Sequence, residues 1–250
     1  MTWLETYTKN KRLFFFLALA LLTLGQAYYG CISYMVVPAS NWVAIGMAPG
    51  IVFLIFFEIV CLFLLALILA ERGETPAALG FSLKVSDFWH SVVLFLGALI
   101  LGAIPMWFYF FVKILAGASP SSIMDLNTGK VLMDAFSKMP IWLLLIFICV
   151  NPIFEESIVR AYFMTETNHF LKKAWLTVLL SALVQAGYHL YQGWVPTIDH
   201  FFTFLIFSIY YQKTKRATPI VFAHFYMDAI PILGAPLFAA LTDKYLGMFK

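Results

Sequence analysis

Apolar residues run along this chain in long blocks, and the polar residues gather between them. Seven blocks approach or exceed the roughly 20 residues that a helix needs to cross a bilayer. They lie at about 13–37, 43–70, 88–114, 139–165, 174–193, 198–212 and 217–241, the sixth being the shortest. This pattern predicts an all-α polytopic transmembrane bundle of about seven spans, with a range of six to eight. The first block passes Gly25-Gln26-Ala27, which resembles a signal-peptide cleavage site. Its apolar run continues beyond that point, so a retained helix is expected. Between blocks, residues 71–87 are polar, with Pro76 and Gly80 as breakers, and are expected at the cytoplasmic interface. Residues 116–130 are expected to form the longest external loop. No fixed-period repeat is visible and no connection is long enough for a separate domain, so 1–250 reads as one membrane domain.

Composition makes lipid the solvent. Hydrophobic residues are 62% of the 250 and charged residues only 12%, with a mean hydropathy of +0.88. Soluble domains carry about a quarter charged residues, and so few could not cover the surface of a soluble fold of this size. The net charge of +3 does not indicate a nucleic-acid partner. Cys31, Cys61 and Cys149 have neither zinc nor disulfide spacing and read as packing residues.

Basic residues set the expected orientation. With the N-terminus in the cytoplasm, the inside segments hold Lys9, Lys11, Arg12, Arg72, Lys84, Lys172, Lys173, Lys213, Lys215 and Arg216. The outside segments hold Lys113, Lys130, Lys138, Lys244 and Lys250, and Arg160 lies within a span. The excess favours N-in. Trp42, Trp89, Trp142 and Trp194 fit an aromatic belt.

Ionisable groups at membrane depth are expensive, and each is a functional candidate. They are Glu58, Glu155, Glu156, Arg160, His189, His224 and Asp228; all but Glu58 fall in the C-terminal half. Glu156 and Arg160 are i,i+4 neighbours in the favourable order and can neutralise each other. Glu155, turned about 100° away on an α-helix, is left free to face a cavity as a general base. The bland reading is a structural ion pair with a spare glutamate. His224 and Asp228 share a helix face, where the carboxylate can orient the imidazole; the bland reading is a polar pair joining two helices. His189, in Gln185-Ala-Gly-Tyr-His189, is by itself more often a packing histidine than a ligand. Glu58 has no evident partner in the sequence, and His90, His169 and His200 near span ends read as interfacial. Two His and a Glu match the donors of catalytic zinc sites, but no H-E-x-x-H helix is present.

The ordered set Glu155-Glu156-x-x-x-Arg160, then His189, then His224-x-x-x-Asp228 resembles the three-motif signature of the CAAX protease and bacteriocin-processing family, also called Abi. The resemblance covers 139–241, and 1–138 carries no recognised motif. Gln185 stands where the family usually has Phe, read as a packing position, and Asp228 where some members have Asn. The family's members are intramembrane endopeptidases. The resemblance implies that Glu155 activates water, that His189 helps bind it, and that His224 and Asp228 stabilise the oxyanion. Glu156 and Arg160 would support the site. In the metalloprotease description Glu155, His189, His224 and Asp228 would instead hold a divalent ion such as zinc; the family has been described both ways.

The expected partners are therefore a peptide or protein substrate and the lipid bilayer, the latter expected to be a bacterial plasma membrane. Water must enter through a cavity, expected to open to the cytoplasmic side. The substrate is a prenylated C-terminal motif, a pheromone or a bacteriocin leader, and no feature sets an oligomeric state. Competing readings are a non-proteolytic immunity or regulatory partner and a proton-coupled transporter; the latter lacks an inverted repeat. Depth poses a problem. Counted from the cytoplasmic ends, Glu155 and His224 lie roughly 10–15 Å in and His189 roughly 22 Å, which tilted helices or an interfacial turn at 172–175 would reconcile.

Overall fold

A computed structural model describes residues 3–37, 47–118, 136 and 138–246. Seven long helices occur: α1 (Trp3–Val36), α2 (Met47–Glu71), α3 (Val85–Leu115), α4 (Ile141–Leu171), α5 (Ala174–Gly187), α6 (Trp194–Thr214) and α7 (Thr218–Leu246). Each falls on one apolar block, and no strand occurs among the described residues. The protein is thus an all-helical, multi-pass membrane protein. Four helices are long and apolar enough to cross a bilayer, within α1, α2, α3 and α4. The fifth block differs from expectation. Its helix stops after 14 residues at Gly187, and the chain turns through His189 and a short 3-10 segment, Leu190–Gln192. The predicted external loop lies, beyond residue 118, outside the described residues, as do Lys130, Trp42 and Lys250.

Burial on α2 follows helical periodicity. Ile51, Ile55, Glu58, Cys61, Leu65 and Leu69 are buried, while Phe53, Phe56, Phe63 and Leu67 are exposed. In water that outer face would be a liability; in lipid it costs nothing. α4 is the most buried of the four spans. It packs against α2 and α7, while α6 packs between α3 and α5. Phe16 of α1 docks on α4 through Tyr162, Phe163 and Phe170, at ring distances of 6.2, 5.7 and 6.1 Å.

Two turns fix heights within the bundle. Lys172 (φ 54°) ends α4 in the left-handed conformation, its N–H donating to Asn168 O at 2.9 Å. Lys215 (φ 54°) ends α6 in the same way, bonding Tyr211 O at 2.8 Å. Gly80, at φ 86°, lets the chain after α2 touch the second turn: its carbonyl accepts from Ala217 N at 3.1 Å, and a Cβ there would collide with the Lys215 backbone. The predicted polar segment 71–87 is mostly exposed, contains a 3-10 turn, Pro76–Leu79, and touches the second turn through Gly80.

These features change the depth count for Glu155 and His189. α4 runs to Leu171 rather than stopping near 165, so Glu155 lies sixteen residues from that end, about 24 Å at 1.5 Å per residue. His189 lies fifteen residues beyond Ala174, roughly 22 Å on the same rise. The two are level without special tilting. His224 is only six residues into α7, and the contact at Gly80 sets that helix's start.

Candidate active site

The centre of α4 is not α-helical. Pro152 has no N–H to give the ladder, and from Glu155 to Tyr162 the helix adopts π geometry, with every residue of the stretch buried. A π turn closes i→i+5 bonds and packs more residues into each turn, and such bulges concentrate at functional sites. The consequence here is direct. Neighbouring side chains diverge less than in an α-helix, so Glu155 and Glu156 both enter the core instead of lying on separate faces.

Arg160 organises one side of the cluster. It is fully buried and pairs through Nε with Glu156, as the i,i+4 spacing predicts. Its other nitrogens donate to Phe204 O at 3.0 Å, to the Ser208 hydroxyl and to Gln185 Oε1. The guanidinium also lies over the Phe204 and Phe207 rings, at 5.5 and 5.6 Å. A buried cation needs this saturation, because each donor left unmade would cost more than a bond returns.

Gln185 joins this pair to the free glutamate. Its Nε2 donates to Glu155 Oε2 at 2.9 Å and to Glu156 Oε1 at 3.3 Å, while its carbonyl accepts from Arg160. An amide has both a donor and an acceptor end, and here both ends are used. The position is thus a polar relay in this chain. A glutamine inside an apolar helix was the signal for it.

His224 faces the cluster from α7. Its Nδ1 stands 2.8 Å from Glu156 Oε1. A carboxylate beside Arg160 only accepts, so Nδ1 carries the proton. The opposite nitrogen, Nε2, lies 3.9 Å from Glu155 Oε2 and 3.8 Å from Asp228 Oδ1. Both gaps are too long for direct hydrogen bonds. Asp228 accepts from Asn151 Nδ2 at 3.3 Å, a partner the motif spacing does not announce. Glu155 has no arginine or lysine partner among the described ion pairs.

His189 is set apart from these groups. It lies on the α5–α6 turn, and the Phe204 ring lies near both it and His224, 5.6 Å from the first ring and 6.0 Å from the second. Its Nδ1 is 3.2 Å from Gln192 Nε2, and its Nε2 is buried without a hydrogen-bond partner. His200, read from sequence as interfacial, belongs here instead. Its ring is 4.8 Å from that of His189, and its Nε2 meets Gln192 Oε1 at 2.9 Å. The span-end count missed it because α6 begins at Trp194, six residues before it. Helical periodicity could not aim His189, because the helix has already ended.

The structure therefore brings together Glu155, Glu156, Arg160, His224 and Asp228, with His189 in an adjoining histidine pair. The zinc set Glu155, His189, His224 and Asp228 does not converge. Among the described residues no group of three or more His, Cys, Asp or Glu side chains is arranged to hold a metal ion. Glu156 already engages His224 Nδ1. The donors as placed do not fit a metal ion, and no step below runs through one.

The structure is thus a membrane bundle whose central helix carries a buried glutamate, without an arginine or lysine partner among the described ion pairs, near a histidine oriented by a second glutamate. Residues 137–230 match the model of the type II CAAX prenyl endopeptidases, Rce1-like, and over that region the chain is similar to the CAAX protease family. The match spans α4 to α6 and the first half of α7, and includes none of α1, α2 or α3. No curated protein and no solved structure matched the chain.

Proposed function

We propose that the protein hydrolyses a peptide bond in a prenylated CAAX-type substrate, using water activated by Glu155. The carrying observation is the approach of His224 Nε2 to Glu155 Oε2 and Asp228 Oδ1, at 3.9 and 3.8 Å, too far for direct bonds. A water oxygen about 2.8 Å from both the glutamate and the imidazole spans such a gap. Glu155 takes a proton from that water, and the remaining hydroxide attacks the scissile carbonyl. His224, held at Nδ1 by Glu156 and carrying a second proton on Nε2, donates from Nε2 to the charge that develops on the carbonyl oxygen, with Asp228 orienting it. Glu155 then returns the proton to the leaving amine. His189, with His200 and Gln192, lines the approach beside Phe204. Glu156 and Arg160 fix the geometry and do not react.

The helix ends support an orientation. Lys11, Arg12, Arg72, Lys84, Lys172, Lys173, Lys213, Lys215 and Arg216 sit at one end of the alternating bundle, which we assign to the cytoplasm of a bacterial plasma membrane. Substrate enters from that side, and 1–250 acts as one domain.

The test is purified protein in liposomes with a farnesylated peptide ending in a CAAX sequence, with products read by mass spectrometry and with and without chelator. A shortened peptide supports the proposal, and persistence under chelation supports the metal-free step. Loss under chelation with recovery on added zinc would replace that step by a metal-bound one. An intact peptide with folded wild type counts against proteolysis of this class.

A further inference from the structure

The turn that carries His189 is gripped by a helix from outside the matched region. α1 lies beyond residues 137–230, yet its second half packs on the end of α5. That helix stops at Gly187, and the His189 N–H bonds back to Ala186 O at 3.0 Å, which tightens the last turn. A helix end leaves carbonyls without partners along its own axis, and an apolar setting offers them no bulk water. α1 supplies donors. The Tyr28 hydroxyl donates to Val184 O at 3.0 Å, and the Cys31 thiol lies 3.9 Å from Gly187 O.

The fit is close. A Cβ at position 187 would lie 2.3 Å from the Tyr28 hydroxyl oxygen and 3.2 and 3.3 Å from two of its ring carbons. Glycine at this position is therefore what lets the hydroxyl reach the helix end. The Tyr28 ring also meets the Tyr188 ring edge-on, with centroids 6.1 Å apart, and the Tyr188 ring lies 4.7 Å from that of His189. Beyond the turn, Tyr34 packs on Tyr191 at 5.5 Å. Cys31, Tyr188 and Val159 of the π turn share one buried cluster. α1 thus touches residues on both sides of His189 and links its turn to the π turn that carries Glu155.

We propose that Tyr28 is a positioning residue of the active centre: its hydroxyl, seated in the space that Gly187 leaves, holds the end of α5 and so places His189 along the approach of the substrate. The proposal rests on the hydrolytic reading above, in which His189 lines that approach. A hydrogen bond fixes direction as well as distance, whereas apolar packing is non-directional and lets a turn slide. α1 is then a part of the catalytic apparatus and not only a wall facing lipid.

The experiment measures kcat and KM separately on the farnesylated peptide for wild type, Tyr28→Phe, Gly187→Ala and the double variant, each recovered as a monodisperse species with its melting temperature recorded. Glu155→Gln is the control. Tyr28→Phe deletes the hydroxyl and keeps the ring, while Gly187→Ala keeps the hydroxyl and pushes it away. Each is expected to raise KM about fivefold with kcat near the wild-type value. The double variant is expected to match the single variants, because both changes break the same bond. A purely structural role would lower the melting temperature and leave the KM of folded protein unchanged. A wild-type KM in folded Tyr28→Phe overturns the proposal, and so does a KM effect that multiplies in the double variant. If one single variant is not recovered folded, the KM of the other decides alone; loss of folding in both assigns Tyr28 to the fold and overturns the proposal. Full activity of Glu155→Gln would instead overturn the hydrolytic reading itself, a separate result.

Discussion

Of the three glutamates that α4 buries, Glu155 and Glu166 lie eleven residues apart and could hardly be treated more differently. Glu166 is 1% exposed and receives two arginines, Arg12 at 2.7 and 3.0 Å and Arg72 at 2.7 Å. Glu155 is equally enclosed, yet meets one amide at 2.9 Å and an imidazole nitrogen at 3.9 Å. The first pairing ties α1 and the end of α2 to α4, and all of its charge is spent on structure. The second leaves a buried carboxyl group without an arginine or lysine beside it among the described ion pairs. Residue type and burial do not separate a lock from a reagent; the supply of cations does.

Breaking the locks should cost stability. The largest effect is expected from Arg160→Met, which leaves Glu156 buried without its cation: a loss of about 4 kcal/mol, read as a fall in detergent melting temperature, with activity lost alongside. Glu166→Gln leaves two arginines facing each other and should cost about 3 kcal/mol. The double replacement Arg12→Met with Glu166→Gln should recover part of it in a thermodynamic cycle; no recovery would mean that the pair is not the tie described. Gly80→Ala strains a left-handed residue and forces a Cβ on the Lys215 backbone, so a loss of at least about 2 kcal/mol is expected in the same melt. The smallest effect has the opposite sign. Lys172 occupies the left-handed region without being glycine, and Lys172→Gly should stabilise by up to about 1 kcal/mol.

The sequence made the helices legible because lipid demands long apolar runs, and each of the seven blocks carries a helix. It made Glu156–Arg160 legible because i,i+4 spacing survives even in the π turn. Three things escaped it. The π turn itself re-aims Glu155, and no side-chain pattern encodes that. Gln185, His200, Asn151 and Ser208 act through contacts between helices, which periodicity along one helix cannot pair. His189 lies past the end of α5, where an apolar count runs on through Leu190 and Tyr191 although the helix does not. Glu58 was visible as an oddity in an apolar run, and it is buried, its Oε2 without a hydrogen-bond partner among the described residues.

The most direct measurement sets Glu155→Gln beside Glu166→Gln, scoring peptide cleavage and melting temperature on the same liposome preparations. Glu155→Gln should melt like wild type and lose at least about 10³-fold in cleavage, while Glu166→Gln should melt well below wild type and keep its rate wherever it is folded. A Glu155→Gln protein that cleaves at the wild-type rate would contradict the account at its centre.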